Sequence, residues 1–415
     1  MKMKMTRILQ STATLGLVLG LTAAAQTPAP AAAPATPPAA APAAAAPAPP
    51  GPLSTFVLSG PLQWLPPAEF DAGPFGKLEI NGILTGYAQG QTNAVPGDNA
   101  KQATVSNGEI FVQKAEGKVQ YFVQAGLYDF PTLGAPYADA QSTVANLFGP
   151  VPVAFLKVAT GKTTSWEIGA LPTLMGAEGA FTYQNMNISR GLLWYQENII
   201  NRGIQVNQAL GKYFSASLSW NDGYYSDRYN WLVGSMTFTK GPHTLVYSGM
   251  GNYGKTGYST ATAPLAQSNS VMHAVVYTYT KGTWVTTATY QYSNVPTHTD
   301  IGIAKGASTN GFGLYLSKSF KKGFALPGRF EYIAQSGSVG GPDVNLLYGP
   351  GSSATSFTVT PTYQKGGFYF RTDLGYVHAM NATPGDVFGS MNNQASQFRA
   401  VGEFGFILGN NITKE

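Results

Sequence analysis

The sequence predicts an all-β chain closed into a transmembrane antiparallel up-and-down β-barrel of about 16 strands, with roughly 14 to 18 compatible with the pattern. Three observations predict it. First, only 11% of the 415 residues are charged, whereas 49 are glycine, 22 Phe, 23 Tyr and 6 Trp. That balance suits strands with water on one face and an apolar medium on the other. Second, the dominant period from Lys77 onward is two. Third, the connections alternate between short and long, the habit of barrels that cross an outer membrane. A soluble β-solenoid, the rival architecture, predicts a fixed repeat instead.

Residues 1–25 have the layout of a secretory signal peptide: a basic start (Lys2, Lys4, Arg7), the apolar run LGLVLGL and the small-residue run TAAAQ. Cleavage removes three positive charges from a formal +5 and leaves +2, so nucleic acid is not an expected partner. Residues 26–52 are almost entirely Ala and Pro and read as an extended linker, placed in the periplasm. A connecting segment, 53–76, is more apolar and carries Trp64, Phe70 and Phe75; it either packs near the barrel mouth or simply connects to the barrel at 77–415. The chain has no cysteine, which excludes disulfides and thiolate metal sites. After the signal peptide no run approaches the roughly 20 apolar residues of a membrane helix, so a spanning structure must be a barrel.

Each strand follows from alternation. YFSASLSWNDG sets Phe214, Ala216, Leu218 and Trp220 on one face against Ser215, Ser217, Ser219 and Asn221. TTSWEIGAL opposes Thr164, Trp166 and Ile168 to Ser165, Glu167 and Gly169, and FYFRTDLGY opposes Phe368, Phe370, Leu374 and Tyr376 to Tyr369, Arg371 and Asp373. The sixteen runs lie near 77–90, 105–116, 118–128, 153–160, 163–171, 201–210, 213–222, 230–239, 243–251, 270–280, 283–293, 309–320, 324–335, 355–364, 367–379 and 396–408. Seven short connections carry a Lys/Gly pair: Gly117-Lys118, Gly161-Lys162, Gly211-Lys212, Lys240-Gly241, Lys281-Gly282, Lys322-Gly323 and Lys365-Gly366. Glycine there supplies the positive φ of tight hairpins, and the seven share one end of the barrel with both termini.

The stretch GAEGAFTYQNMNISRGLLWYQENIINRGIQVNQALGKYFSASLSWNDGYYSDRYNW, residues 176–231, resembles the putative β-barrel porin-2, OmpL-like family of outer-membrane proteins. The resemblance rests on an Asn-rich segment ending Ser189-Arg190, then Trp194 and Tyr195, a strand from Gly203, the turn at Gly211-Lys212 and a strand ending Asn221-Asp222-Gly223. Met186 stands where members often carry proline, and the final strand continues into GNNITKE rather than stopping on an aromatic residue. The resemblance implies an outer-membrane channel. The reading is a porin for passive diffusion of small hydrophilic solutes; the alternative is a structural or adhesive barrel with a plugged lumen.

Sixteen strands enclose a lumen wide enough for water, so function rests on what narrows it. By resemblance to larger porins, the third long connection, roughly Pro172 to Ile200, folds inward, making Glu178, Arg190, Trp194, Tyr195 and Glu197 the constriction candidates; the alternative is an ordinary surface loop with its aromatics packed on the rim. The second long connection, 129–152, is the competing one. Lys77, Glu79, Arg329, Glu331, Arg371, Asp373, Arg399 and Glu403 are candidate lumen-wall charges, because Arg or Lys facing lipid near the midplane costs about 2–4 kcal/mol. They set a transverse field in one reading and form cross-strand ion pairs in the other. Tyr87, Trp166, Trp220, Trp231, Tyr277, Trp284, Tyr332, Phe368 and Tyr376 are expected in interfacial girdles. The expected partners are outer-membrane lipid, the solutes and a homo-oligomer, a trimer. No cofactor, metal or catalytic group is expected; a hydrolase built on His273 and His378 is the weakest reading, since the four histidines lack metal-binding spacing.

Overall fold

The computed structural model describes residues 60–410. The signal peptide, the Ala/Pro linker and the first part of the connecting segment lie outside the described residues. A short strand β1 (Ala68–Asp71) leads into β2 (Lys77–Gln91), β3 (Lys101–Lys114), β4 (Val119–Leu127), β5 (Val153–Ala159) and β6 (Thr164–Pro172). The wall continues through β7 (Ile200–Ala209), β8 (Phe214–Asn221), β9 (Trp231–Lys240), β10 (His243–Asn252), β11 (Val271–Lys281) and β12 (Trp284–Val295). It finishes with β13 (Ala307–Ser319), β14 (Phe324–Gln335), β15 (Ser353–Val359), β16 (Thr362–Lys365), β17 (Phe368–Met380) and β18 (Ser396–Leu408). Neighbours pair antiparallel, and β18 pairs with β2 to close the barrel. Strand β1 pairs only with the turn-end tip of β2, below the last β18 pair, and is not a stave of its own; with β15 and β16 together making one stave, the barrel is sixteen-stranded.

That interrupted stave differs from the continuous strand expected at 355–364. Pro361 has no N–H to give the ladder, so pairing breaks there. The register against β14 and β17 is the same on both sides of the break. A second departure is at β3, which starts at Lys101 rather than near 105. A bulge opposite Thr85 and Gly86 leaves Ser106 as the extra residue and turns Asn107 into the lumen.

Turns of two or four residues join the staves at one end; four of the seven Lys/Gly pairs fall within them, and the other three have the lysine as the last strand residue and the glycine as the first of the turn. Gly241, Gly282 and Gly366 occupy the two-residue turns with φ of 57°, 59° and 58°, as hairpins of that length require. Eight long loops stand at the other end: L1 (92–100), L2 (128–152), L3 (173–199), L4 (222–230), L5 (253–270), L6 (296–306), L7 (336–352) and L8 (381–395).

The barrel is apolar outside. Leu84, Ile110, Leu156, Trp166, Ile168, Leu218 and Trp220 are at least two-fifths exposed, while their strand neighbours point inward. Trp284, Tyr332, Phe368 and Tyr376 share the outer face. Tyr87 and Trp231 do not: each is at most 1% exposed and faces the lumen, which removes them from the girdle set. Tyr87 stacks on Tyr137 of L2 and Trp231 packs edge-on against Tyr224 of L4, because both sit where loops fold back into the barrel.

The packed core is therefore inside the lumen. Inward-facing Ile83, Phe111, Phe122, Phe155, Tyr369 and Ile407 join Tyr128 and Phe148 of L2 and Phe181 and Tyr183 of L3 in one buried cluster. Loops can bury backbone there only if the wall answers their polar groups.

Candidate pore constriction

L3 crosses the lumen bound to the wall of β14, β17 and β18. The N–H groups of Ile188 and Ser189 donate to the Asp373 carboxylate at 3.1 and 2.7 Å. Those of Leu192 and Leu193 donate to Glu331 at 2.9 and 3.2 Å, and that of Gly191 donates to Glu178 at 2.7 Å. The carbonyls are met by cations: Ser189 by Arg329 at 2.7 Å and Asn185 by Arg371 at 3.1 Å. Gly191 lies so close to Glu331 that a Cβ would overlap its carboxylate. Charge-assisted bonds of this kind replace the water that the loop loses.

The wall groups are also paired among themselves. Arg329 meets Glu178 at 2.6 Å and Glu331 at 3.2 Å, and Arg371 meets Glu403 across β17 and β18. Of the two uses weighed for these charges, cross-strand pairing accounts for Arg371 with Glu403; most of the rest anchor loops. Arg399 donates to the carbonyls of Thr132 and Ala135 in L2 at 2.8 and 2.6 Å. Lys77 sits apart at the turn end, below the last β18 pair, and bridges to Glu69 of β1 at 2.9 Å. Glu79 accepts from Gln113 at 2.7 Å.

L2 and L3 both fold inward, so they do not compete for the role. Arg190 joins them: its N–H donates to the Pro131 carbonyl, its carbonyl accepts from Leu133, and its guanidinium donates to the carbonyls of Ala180, Pro131 and Asp129. The same guanidinium stacks over Phe130 and Trp194 at 5.2 and 5.0 Å. Burial pulls Arg190 down to about 10, against the carboxylates of Asp129 and Glu178 that hold it up. Burial pushes Glu178 up, offset by Arg329. Glu197 is pushed well above the carboxylate range by burial, with Glu178 and Glu331 adding repulsion. A Cβ on Gly176 would overlap Glu197, which marks how closely L3 closes over it.

The five loop candidates thus separate. Glu178 borders a cavity, Arg190 and Trp194 hold L3 against L2, Glu197 lies buried beneath Gly176, and Tyr195 faces a second hollow among L1, L2, L7 and L8. The cavity beside Glu178, about 330 Å³, lies between residues 173–181 of L3 and the wall of β4 to β7. Its polar lining includes Lys157, Glu167, Gln124 and Gln205. Lys157 and Glu167 oppose one another in register, 3.6 Å apart, with side chains 27% and 14% exposed. Sequence reading missed this pair, since each is a lone charge on its strand; the tight turn at Gly161-Lys162 could have supplied the register.

The histidines do not assemble a site. His273 on β11 and His378 on β17 are separated by the staves between them, and the His273 ring accepts or donates to the Tyr247 hydroxyl at 2.9 Å on the outer face.

Solved structures share this architecture at low identity. An anion-selective porin from Comamonas acidovorans superposes with a TM-score of 0.57 at 11% identity, covering 80% of this chain and 99% of that one. The outer membrane channel DcaP of Acinetobacter baumannii gives 0.55 at 9% identity, covering 82% and 100%. OmpT of Vibrio cholerae gives 0.52 at 12% identity, covering 80% and 97%. No curated protein matches by sequence. The sequence profile of one family matches residues 77–408, from the first long stave to the last. The chain accordingly belongs to the putative β-barrel porin-2, OmpL-like family, and is an outer-membrane channel protein.

Proposed function

We propose that small hydrophilic solutes diffuse passively past L3 through the gap along β4 to β7, and leave through the turn-end half of the lumen. One observation carries this reading: of the charges bordering the gap, Lys157 and Glu167 keep contact with water while Glu178 is paired with Arg329, and the wall charges of β14, β17 and β18 are buried in loop bonds and ion pairs. Lys157 and Glu167 cancel in sign, so the gap favours neutral or zwitterionic solutes over ions of either charge. Diffusion of this kind needs no cofactor and no catalytic group.

The turn end faces the periplasm in this reading, with the Ala/Pro linker there, the outer aromatic and aliphatic face in lipid, and a homotrimer as the assembly. OmpT of Vibrio cholerae has been solved in a trimer form, which supports that assembly by analogy. A plugged scaffold is the second reading, favoured by the amount of loop packed inside the lumen. Purified protein in planar bilayers is expected to conduct in discrete steps. A bilayer that stays sealed at adequate incorporation, and conducts after deletion of 173–199, establishes the plugged scaffold instead.

A further inference from the structure

Residues 60–67, GPLQWLPP, run inside the turn end of the barrel, and the wall holds their backbone. The Gln63 N–H donates to the Gln364 side chain at 2.8 Å, and its carbonyl accepts from the same amide at 2.7 Å. Asn81 donates to the Leu65 carbonyl at 3.1 Å, and the Asn410 N–H donates to the Pro66 carbonyl at 2.7 Å. Pro61, Pro66 and Pro67 have no N–H to satisfy, which lowers the cost of burying an irregular segment. Leu62 is fully buried in the cluster that holds inward-facing Ile83, Phe111, Tyr369 and Ile407.

The segment reaches L3. Trp64 packs edge-on against Phe111 at 5.3 Å and against Tyr183 of L3 at 5.7 Å. Gly60 approaches Asn185 so closely that a Cβ would overlap its carbonyl, the group that Arg371 also binds. Tyr183 is the middle residue of the turn Thr182–Gln184 and Asn185 follows it directly; the turn's Thr182 hydroxyl accepts from bulge-oriented Asn107 at 2.9 Å. The lowest part of L3 is therefore held from one side by the wall and from beneath by residues 60–64.

We propose that residues 60–67 are a third inward element of the constriction, a strap that positions L3 from the turn end, with Leu62 and Trp64 as its positioning residues. The wall charges fix L3 along 185–193, and the strap stops its 182–185 turn from swinging toward the turn-end opening. Its effect on solute flow rests on the channel reading; its effect on L3 does not.

The test uses the full chain with Trp64→Ala and the conservative Trp64→Phe, reading backbone hydrogen exchange by mass spectrometry and single-channel noise. Trp64→Ala is expected to speed exchange across 182–193 by about tenfold while the staves stay protected, with Trp64→Phe near the parent. Open-channel noise is expected to rise at least about twofold in the same variant. Exchange in 182–193 unchanged by Trp64→Ala overturns the strap, whether or not the parent conducts. A parent that seals the bilayer while exchange responds counts against the channel reading alone. If Trp64→Ala fails to fold, Gln364→Ala, which removes both bonds to Gln63, is read the same way, and unchanged exchange there also overturns the proposal.

Discussion

On the wall of β14, β17 and β18, Arg329, Glu331, Arg371, Asp373, Arg399 and Glu403 are at most 3% exposed, whereas β8 to β11 present no charge to the lumen. Toward the turn end those strands offer Ser217, Ser235, Thr237 and Thr278, all partly open to water. The difference follows what each wall faces. A loop pressed against a wall brings N–H and C=O groups that have lost water, and full charges answer them best. A wall that keeps water needs only hydroxyls. Ionic side chains in this lumen are thus mainly a fastening, and few of them remain wet.

Four changes would break or sharpen that comparison. The largest effect is expected from Glu331→Ala, which strips the acceptor from Leu192 and Leu193 and half the countercharge from Arg329. Breaking a buried pair costs about 3–5 kcal/mol, read as a lowered urea midpoint of the folded barrel. Gly191→Ala forces a methyl into the same carboxylate, and overpacking of this kind costs about 1–3 kcal/mol. If its midpoint equals the parent's, L3 is not clamped as described.

Lys157→Glu addresses the wet side. It should leave the midpoint near the parent's and shift the reversal potential in a salt gradient toward cations, a change of roughly two- to threefold in permeability ratio. An unchanged potential would move selectivity away from the β5–β6 pair. Smallest is a pH effect from the loops. Burial raises Glu197, and burial raises Asp129 against the opposing pull of Tyr137 and Arg190. A folded value above the unfolded one means stability is full below the unfolded carboxylate range, about 4, and is lost as pH rises through the raised folded value. The midpoint should therefore fall on alkaline titration, and Glu197→Gln should flatten that fall.

Much of the barrel was legible because its signal is local. Ser215 and Leu218 disclose their faces by neighbours one residue away, and Lys240-Gly241 marks a hairpin by itself. The inward aim of Arg371 and Asp373 was legible for the same reason. Their use was not, since the groups they bind lie 184 to 186 residues away in sequence, and Glu178 lies 151 from Arg329. Tyr87 and Trp231 were misassigned because an aromatic at a strand end looks the same whether lipid or a returning loop covers it. Residues 53–76, with Trp64, Phe70 and Phe75, were legible only as a segment that packs near the barrel mouth or simply connects, because GPLQWLPP has no period to say what it meets.

Sequence alone thus determined the staves, the turn end and the loop end, all of which depend on contacts a few residues apart and on one alternating face. Only the tertiary structure decided how the lumen is filled: that L2 and L3 enter together, that wall charges hold them, and that Lys157 meets Glu167. Those outcomes depend on closure between β18 and β2, which sets irregular backbone against distant side chains that no pattern along the chain connects.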